Sequence, residues 1–573
     1  MKKFEQRENE RPIPKRPKLR YVEKTLSLLE SDIGPDGEKI NWKDLYEKVG
    51  PWENGLELAE KIRTIVLDYL SSKIPELKEK IPFIHSLPKD KIIKAIGQGW
   101  FEELGEEVGD TRKEVLLAVL AHILRKTETG IYKKIFADAS AEDFAKLGIP
   151  ETMRQLLIDL LDVSVKSNPL FIRFLAYTQL SKKPENGASE IAPLDQKGEP
   201  RTFAELFPHE TQFIYKKLRK ISQEKQEWDN EPNSQEFREY ISSLSDFFSE
   251  TDQEKAREQY DQMVERGKQL ISTEFPILLS PPTGSYYMPP YVDPELRLAI
   301  RTPESASEED KFKHLQDQMV SVLPELNIEE FSDKMRSKTI RSYISIGPHG
   351  AGITFNEAAE ADEGYIVLYL NEQINKYDRD LKKFLPLVEG YEKAFAAETE
   401  EERDTLTRGL SREATMAHEV AHSVYFSDTP EAKRLGPDAE AIIAEVAADS
   451  IANGIESCLI RRNERPHTKE QRAMAAVAIP IQIIERSDPD DEYFKAAVYT
   501  LNSLLEKGII IFNGQKIKIT DHDLLFGELE DGARGIIRLY RDEEMSPEKA
   551  KRWIKDNCTA NPMLQKLIEF IKK

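Results

Sequence analysis

The sequence predicts an α+β fold that is predominantly helical, and three observations carry that expectation. Apolar residues recur at spacings of three and four over most of the 573 residues, while short runs rich in Ile, Val and Tyr cluster between positions 342 and 370. Hydrophobic residues make up 39% and aromatics 9%, enough to build cores beneath a surface on which the 32% of charged residues are placed. At about 150 residues per domain, the length suggests two to four domains.

Residues 1–20 hold three prolines and many charges with few apolar groups, and are expected to be a flexible basic arm. From 21 to 274 the helical pattern dominates. Apolar residues recur at three and four positions, as in Leu56, Leu58, Ile62, Ile65, Val66 and Tyr69, or Val115, Leu116, Val119, Leu120, Ile123 and Leu124. The span 182–201 lacks that pattern and holds prolines and glycines, so a long loop is expected there. Residues 275–294 carry six prolines among several tyrosines and read as a hinge or interdomain strand. Strands are expected at 342–346, 352–355 and 365–370. From 371 onward the pattern is helical again, interrupted by one hairpin in which Asn513-Gly514 is the expected two-residue turn between 509–512 and 517–519. Four regions follow: 1–20, 21–274, 275–372 and 373–573.

The 82 Lys and Arg against 103 Asp and Glu leave a net charge of −21, which repels phosphate backbones, so nucleic acid is excluded as an expected partner. Only the first twenty residues are locally basic, with eight Lys or Arg against three Glu. Amine-bearing ligands are favoured instead. No uncharged apolar run approaches the roughly 20 residues that span a bilayer, and the N-terminus lacks the apolar core of a secretion signal. With Cys458 and Cys558 as the only cysteines, a disulfide framework and a Cys-based zinc site are both unexpected, and a reducing cytoplasm is the expected compartment.

Chemistry concentrates at His418-Glu419-Val-Ala-His422. On a helix, positions i and i+4 share a face, so both imidazoles can reach one metal ion while Glu419 leans toward its open side as general base. The neighbours Met416, Ala417, Val420, Ala421 and Val424 are apolar, so this helix is expected to be largely buried and its polar groups to need partners. Glu445 and Asp449 repeat the i, i+4 spacing in an otherwise apolar stretch, and two acids on one buried face ask for a cation. Glu445 is the expected third ligand and Asp449 the acceptor that orients a liganding histidine through its other ring nitrogen. Asp428 is a competing third ligand, disfavoured because a tight turn would want glycine where Tyr425 stands, and Glu440 is a weaker rival. The Gly-rich 347–352 segment fits neither a Walker loop nor a dinucleotide fingerprint, and is expected to be a turn between strands. The acidic run 398–404 is expected to be a solvated helix face.

Three blocks together resemble the dipeptidyl peptidase III family, in that family's order. The first is GPHGAGITFNEAAEADEGYIVLYLNE (347–372), similar to a Gly-rich segment ending in a substrate-contacting strand, with Asn356 at the position of its peptide-binding Asn. The second is HEVAH followed by AEVAAD (444–449), similar to the family's zinc-site pair. The third is YFKAAVYTLNSLLEKG (493–508), similar to a helix that carries a His and an Arg facing the substrate, which here are Tyr493 and Ala497. The chain departs from the family further in having HExxH for HExxGH, and Ala444 and Ala447 for the first Glu and the Arg of the EExRAE motif.

The resemblance implies a two-lobed metallopeptidase, with a helical zinc-binding catalytic lobe at 373–573 and a mixed lobe containing short strands, whose 275–372 segment binds substrate. It implies one Zn²⁺ per chain and release of dipeptides from the N-termini of oligopeptides, with Tyr493 standing in as hydrogen-bond donor to the oxyanion. A zinc endopeptidase and a non-catalytic zinc-stabilised helical scaffold are the alternatives.

Overall fold

A computed structural model describes residues 39–73, 113–178, 200–280, 282, 292, 294–347, 359–361, 364–374, 379–425, 429–487 and 489–572. The basic arm, most of the expected 182–201 loop, most of the Gly-rich 347–352 turn and the expected strand at 352–355 lie outside these residues.

The N-terminal half is built from α1 (Gly55–Lys73), α2 (Lys113–Asp138), α3 (Arg154–Thr178), α4 (Pro208–Gln223), α5 (Ser234–Ser249) and α6 (Gln253–Ser272). Their amphipathic spacing explains them. In α5, Phe237, Tyr240, Ile241, Leu244 and Phe248 recur at three and four and are all buried, while Arg238, Glu239, Ser242, Ser243 and Asp246 between them are partly exposed. Aromatic packing then joins the helices: Phe237 stacks on Phe275 at 4.5 Å, with the Trp228 ring edge-on to it at 5.6 Å.

A five-stranded sheet follows, from β1 (Ile277–Leu279), β2 (Leu298–Ile300), β3 (Thr339–Ser345), β4 (Ala359–Ala361) and β5 (Tyr365–Tyr369), with α7 (Pro303–Leu326) between β2 and β3. The order is β1-β2-β3-β5-β4; β3 and β5 run parallel and the other pairs antiparallel. Every residue of β5 is buried, because the sheet is covered on both faces. Ile366 and Leu368 join the main core, whereas Tyr365, Val367 and Tyr369 face Leu278, Tyr343 and Ile271 of α6. The Pro-rich segment thus contributes the edge strand β1, and β3 and β5 form where the sequence placed strands.

Beyond the sheet come α8 (Glu400–Ala421), α9 (Pro437–Arg461), α10 (Lys469–Arg486), α11 (Glu492–Glu506), the hairpin β6 (Ile510–Phe512) and β7 (Ile517–Ile519), and α12 (His522–Arg541), α13 (Pro547–Asn557) and α14 (Pro562–Ile571). Helix α9 is buried among α8, α11, α12 and α7. It approaches α12 so closely that a Cβ on Gly454 would sit 2.6 Å from the Ala533 Cβ. The hairpin forms as expected but its turn is shifted by one residue. Asn513 still pairs with Lys516 through its N–H at 3.1 Å, so Gly514 and Gln515 are the central pair, with Gly514 at φ +95°. The physical reason is the Asn513 side chain, whose oxygen accepts from the N–H groups of Gln515 and Lys516 and so fixes Asn513 as the position before the turn.

Buried charges tie the helical half to the sheet. Arg125 reaches Glu128 at 2.7 Å and Glu372, which follows β5 and is fully buried, at 3.2 Å; Arg63 of α1 closes the group on Glu128 at 2.7 Å. Such a group costs desolvation, so its partners must all be present together. Cys458 and Cys558 are both buried and unbridged. Among the described residues no helix is long and apolar enough to cross a membrane.

Two predictions follow from this packing. Gly454→Val is expected to destabilise the fold by roughly 1–3 kcal/mol through overpacking, more than the small gain in helix propensity, since Val ranks well below Ala, and an unchanged urea midpoint would contradict it. His122 on α2 is buried, and burial, followed by Lys126, Lys166 and Arg173, pushes its imidazole down to about 3 from an ordinary 6.5. The folded chain disfavours the protonated ring, so this contribution is intact above pH 6.5 and is lost progressively as pH falls from there toward 3. Between pH 7.5 and 5 the wild type is expected to lose roughly 2 kcal/mol that His122→Gln does not lose; identical slopes for the two proteins would show that His122 is not held neutral.

Candidate metal centre

Helix α8 is started by a capping box in which Thr399 and Glu402 satisfy each other's backbone N–H groups. Glu400, Glu401 and Glu402 occupy its first turn, so the acidic run meets the positive end of the helix dipole as well as solvent. Thr407, Leu410, Met416, Ala417, Val420 and Ala421 are buried, which fixes the rotation of the helix and turns His418 and Glu419 toward α9 and the interior cavity described below. The helix ends at Ala421, with His422 as its cap. Tyr425 then adopts φ +55°, held there by stacking on Tyr540 at 4.4 Å and an edge contact with Phe331 at 4.9 Å. A tyrosine therefore does make a left-handed turn here, because two aromatic neighbours offset its strain, and its presence is no argument against a ligand at Asp428. Asp428 itself lies outside the described residues.

His418, His422 and Glu445 come together across the α8–α9 contact. The two Nε2 atoms are 3.1 Å apart; Glu445 Oε2 is 3.3 Å from His418 Nε2, and its Oε1 is 3.7 Å from His422 Nε2. Zinc bonds of ~2.0–2.1 Å put adjacent ligand atoms of a tetrahedron ~3.3 Å apart, so these separations and this two-nitrogen, one-oxygen donor set fit such an ion. On the far side of the ring, His418 Nδ1 meets Asp449 Oδ1 at 2.7 Å, a contact that leaves Nε2 for the shared centre. Glu440, five residues before Glu445, points to another side of α9 and is not in the group.

The electrostatics treat the two rings oppositely. Burial opposes protonation of His418, but the hydrogen bonds and charges of Asp449 and Glu445 outweigh it and hold its pKa well above the ordinary value. His422 goes well below, through burial, then the His418 charge and Lys338. Burial raises the Glu445 carboxyl, opposed by His418 and reinforced by Asp449 and Glu492.

The remaining expected residues are placed as follows. Glu419 borders a cavity of about 150 Å³ together with His418, Asp449 and Tyr493. Tyr493 sits in the first turn of α11, where the Asp491 side chain accepts its N–H at 2.8 Å, and its ring centroid is 6.5 Å from that of His418. Ala497, one turn on, is fully buried in the apolar core between α10 and α11. Asn356 lies outside the described residues.

Sequence reasoning missed Lys338, a buried residue just before β3 whose charge reaches His422, and Glu492, whose carboxyl is raised chiefly by burial. Neither belongs to a local motif; Glu492 was visible only as the neighbour of Tyr493. Replacing Asp449 by Asn is expected to weaken Zn²⁺ affinity about 10–100-fold. Competition with a chromogenic chelator reads this, and equal affinity would remove the orienting role.

No family model and no curated protein matches the sequence. Solved structures do. The structure titled DPP III from Caldithrix abyssi matches over 92% of this chain and 97% of its own, with a TM-score of 0.52 and 14% identity. Dipeptidyl-peptidase III from Corallococcus sp. strain EGB matches over 93% and 95%, with a TM-score of 0.50 and 14% identity. Since these matches run nearly end to end in both partners, the predominantly helical α+β fold of this chain is the fold of the dipeptidyl peptidase III structures.

Proposed function

We propose that the chain is a zinc-dependent peptidase of the dipeptidyl peptidase III type, releasing dipeptides from the N-termini of oligopeptides. The observation that carries this is the convergence of His418, His422 and Glu445 on one point beside Glu419, with Asp449 behind His418. The end-to-end fold likeness supports the dipeptidyl specificity.

In this reading His418, His422 and Glu445 hold the metal and Asp449 fixes the ring of His418. Zinc bound there would supply Lewis acidity and lower the pKa of a water molecule. The Glu419 carboxylate takes a proton from the attacking water and returns it to the leaving amine, so water adds across the peptide bond with no net proton change. The Tyr493 hydroxyl donates a hydrogen bond to the oxyanion as the carbonyl becomes tetrahedral. Asn356 and nearby acids hold the substrate's free amine, which the net charge of −21 also attracts. A purely structural metal site would have no use for Glu419.

Zinc-loaded wild type is expected to release the fluorophore from an Arg-Arg-arylamide, and Glu419→Gln to lower kcat/KM about 10²–10⁴-fold while retaining its zinc. An N-acetylated peptide should resist cleavage. Its hydrolysis would favour an endopeptidase, and zinc binding without turnover of any peptide would leave the scaffold.

A further inference from the structure

The cavity that begins at Glu419 and Tyr493 does not stop at the metal centre. It continues between α8, α9 and α10 toward Glu456 and Arg472. Asp449 and Glu456 are seven positions apart on α9, about 10 Å along the helix at ~1.5 Å per residue.

Small side chains open this space. Ala414 and Ala417 of α8 and Ala452 of α9 line it, and opposite them Ala476, Ile479 and Ile483 of α10 are spaced three and four apart. That apolar stripe is only partly buried: it packs against the core formed with α11 and also lines the cavity. A second feature lies in the same wall. Pro480 lies inside α10 and has no N–H, so the carbonyl of Ala476 receives no backbone donor from it.

The floor is charged but balanced. Arg472 pairs with Glu413 and, at 3.2 Å, with Glu456; Arg465 pairs with the same two acids at 2.6 and 2.9 Å. Burial, followed by the Arg465 charge, lowers the pKa of the adjoining His467 and so favours its neutral form. Two cations are thus matched by two anions at this end, and Glu419, Asp449 and Arg486 are the other charged residues that line the cavity.

A cavity of about 150 Å³ admits a benzene-sized ring. We propose that this one receives an aromatic side chain from the peptide residue flanking the bond that is cleaved. The proposal rests on the peptidase reading, and makes the α8–α9–α10 cavity a specificity pocket opening directly beside the general base.

The test uses the zinc-loaded full chain and a peptide series in which each residue flanking the cleaved bond is varied through Ala, Leu, Phe, Tyr, Trp, Lys and Glu. Wild type should prefer aromatic residues at one flanking position by at least tenfold in kcat/KM over Ala. Ala476→Phe should fill the pocket and cut the aromatic-to-Ala ratio at least tenfold. Ile479→Ala should enlarge it and raise the Trp-to-Phe ratio. Opposite shifts in two ratios are not produced by misfolding, which lowers all rates together. Cleavage without aromatic preference, or ratios untouched by both variants, overturns the pocket and leaves the peptidase standing; no cleavage of any peptide overturns both.

Discussion

The contact between α8 and α9 is the constraint on which the site depends. Each helix carries a polar pair at i and i+4 in an otherwise buried face, and each pair is intelligible only against the other. His418 bridges them, with Asp449 on one ring nitrogen and Glu445 and His422 near the other. Burial alone would lower the pKa of both rings, yet His418 is driven up and His422 down, because two carboxylates flank the first and its charge repels protonation of the second. Polar groups this closely packed in a low-dielectric contact require a cation or a shared proton. Helix α9 holds its position because α12 approaches at Gly454 and Tyr540 stacks on the residue that ends the α8 turn.

The same logic recurs away from the centre. Arg63, Arg125, Glu128 and Glu372 lock two N-terminal helices to the end of β5, and Glu413, Glu456, Arg465 and Arg472 close the inner end of the cavity. In both groups each charge has a partner, as burial demands. Of these, Glu456 and Arg472 line the cavity, where neither can leave without stranding the other's partners. Small residues and one helix-interior proline then shape the space that those charges enclose.

Local periodicity made much of this legible. The amphipathic helices, the strands β3 and β5, the hairpin, and the four residues His418, Glu419, His422 and Glu445 with Asp449 could be placed because each signal lies within a few positions of sequence. Helical geometry converts i, i+4 into a shared face without knowledge of the rest of the fold. Where two local signals competed, the sequence was less decisive. Asn-Gly suggested a turn centred one residue too early, because the Asn513 side chain bonds the backbone ahead of it. Tyr425 suggested a chain that would not turn, because its aromatic partners, Phe331 and Tyr540, are about a hundred positions away on either side.

By itself, then, the sequence determined which side chains could form a His-His-Glu centre and that the chain would be mostly helical, since both follow from short-range spacing. Tertiary structure alone decided how closely Glu445 and Asp449 approach His418, which place in the sheet the Pro-rich segment's strand takes, and that Lys338 and Glu492 act on the centre. It also decided that α10 leaves a cavity beside Glu419. These are distances between elements separated by tens to hundreds of residues, set by which faces pack and how closely small residues let them approach, and no local pattern in the chain encodes them.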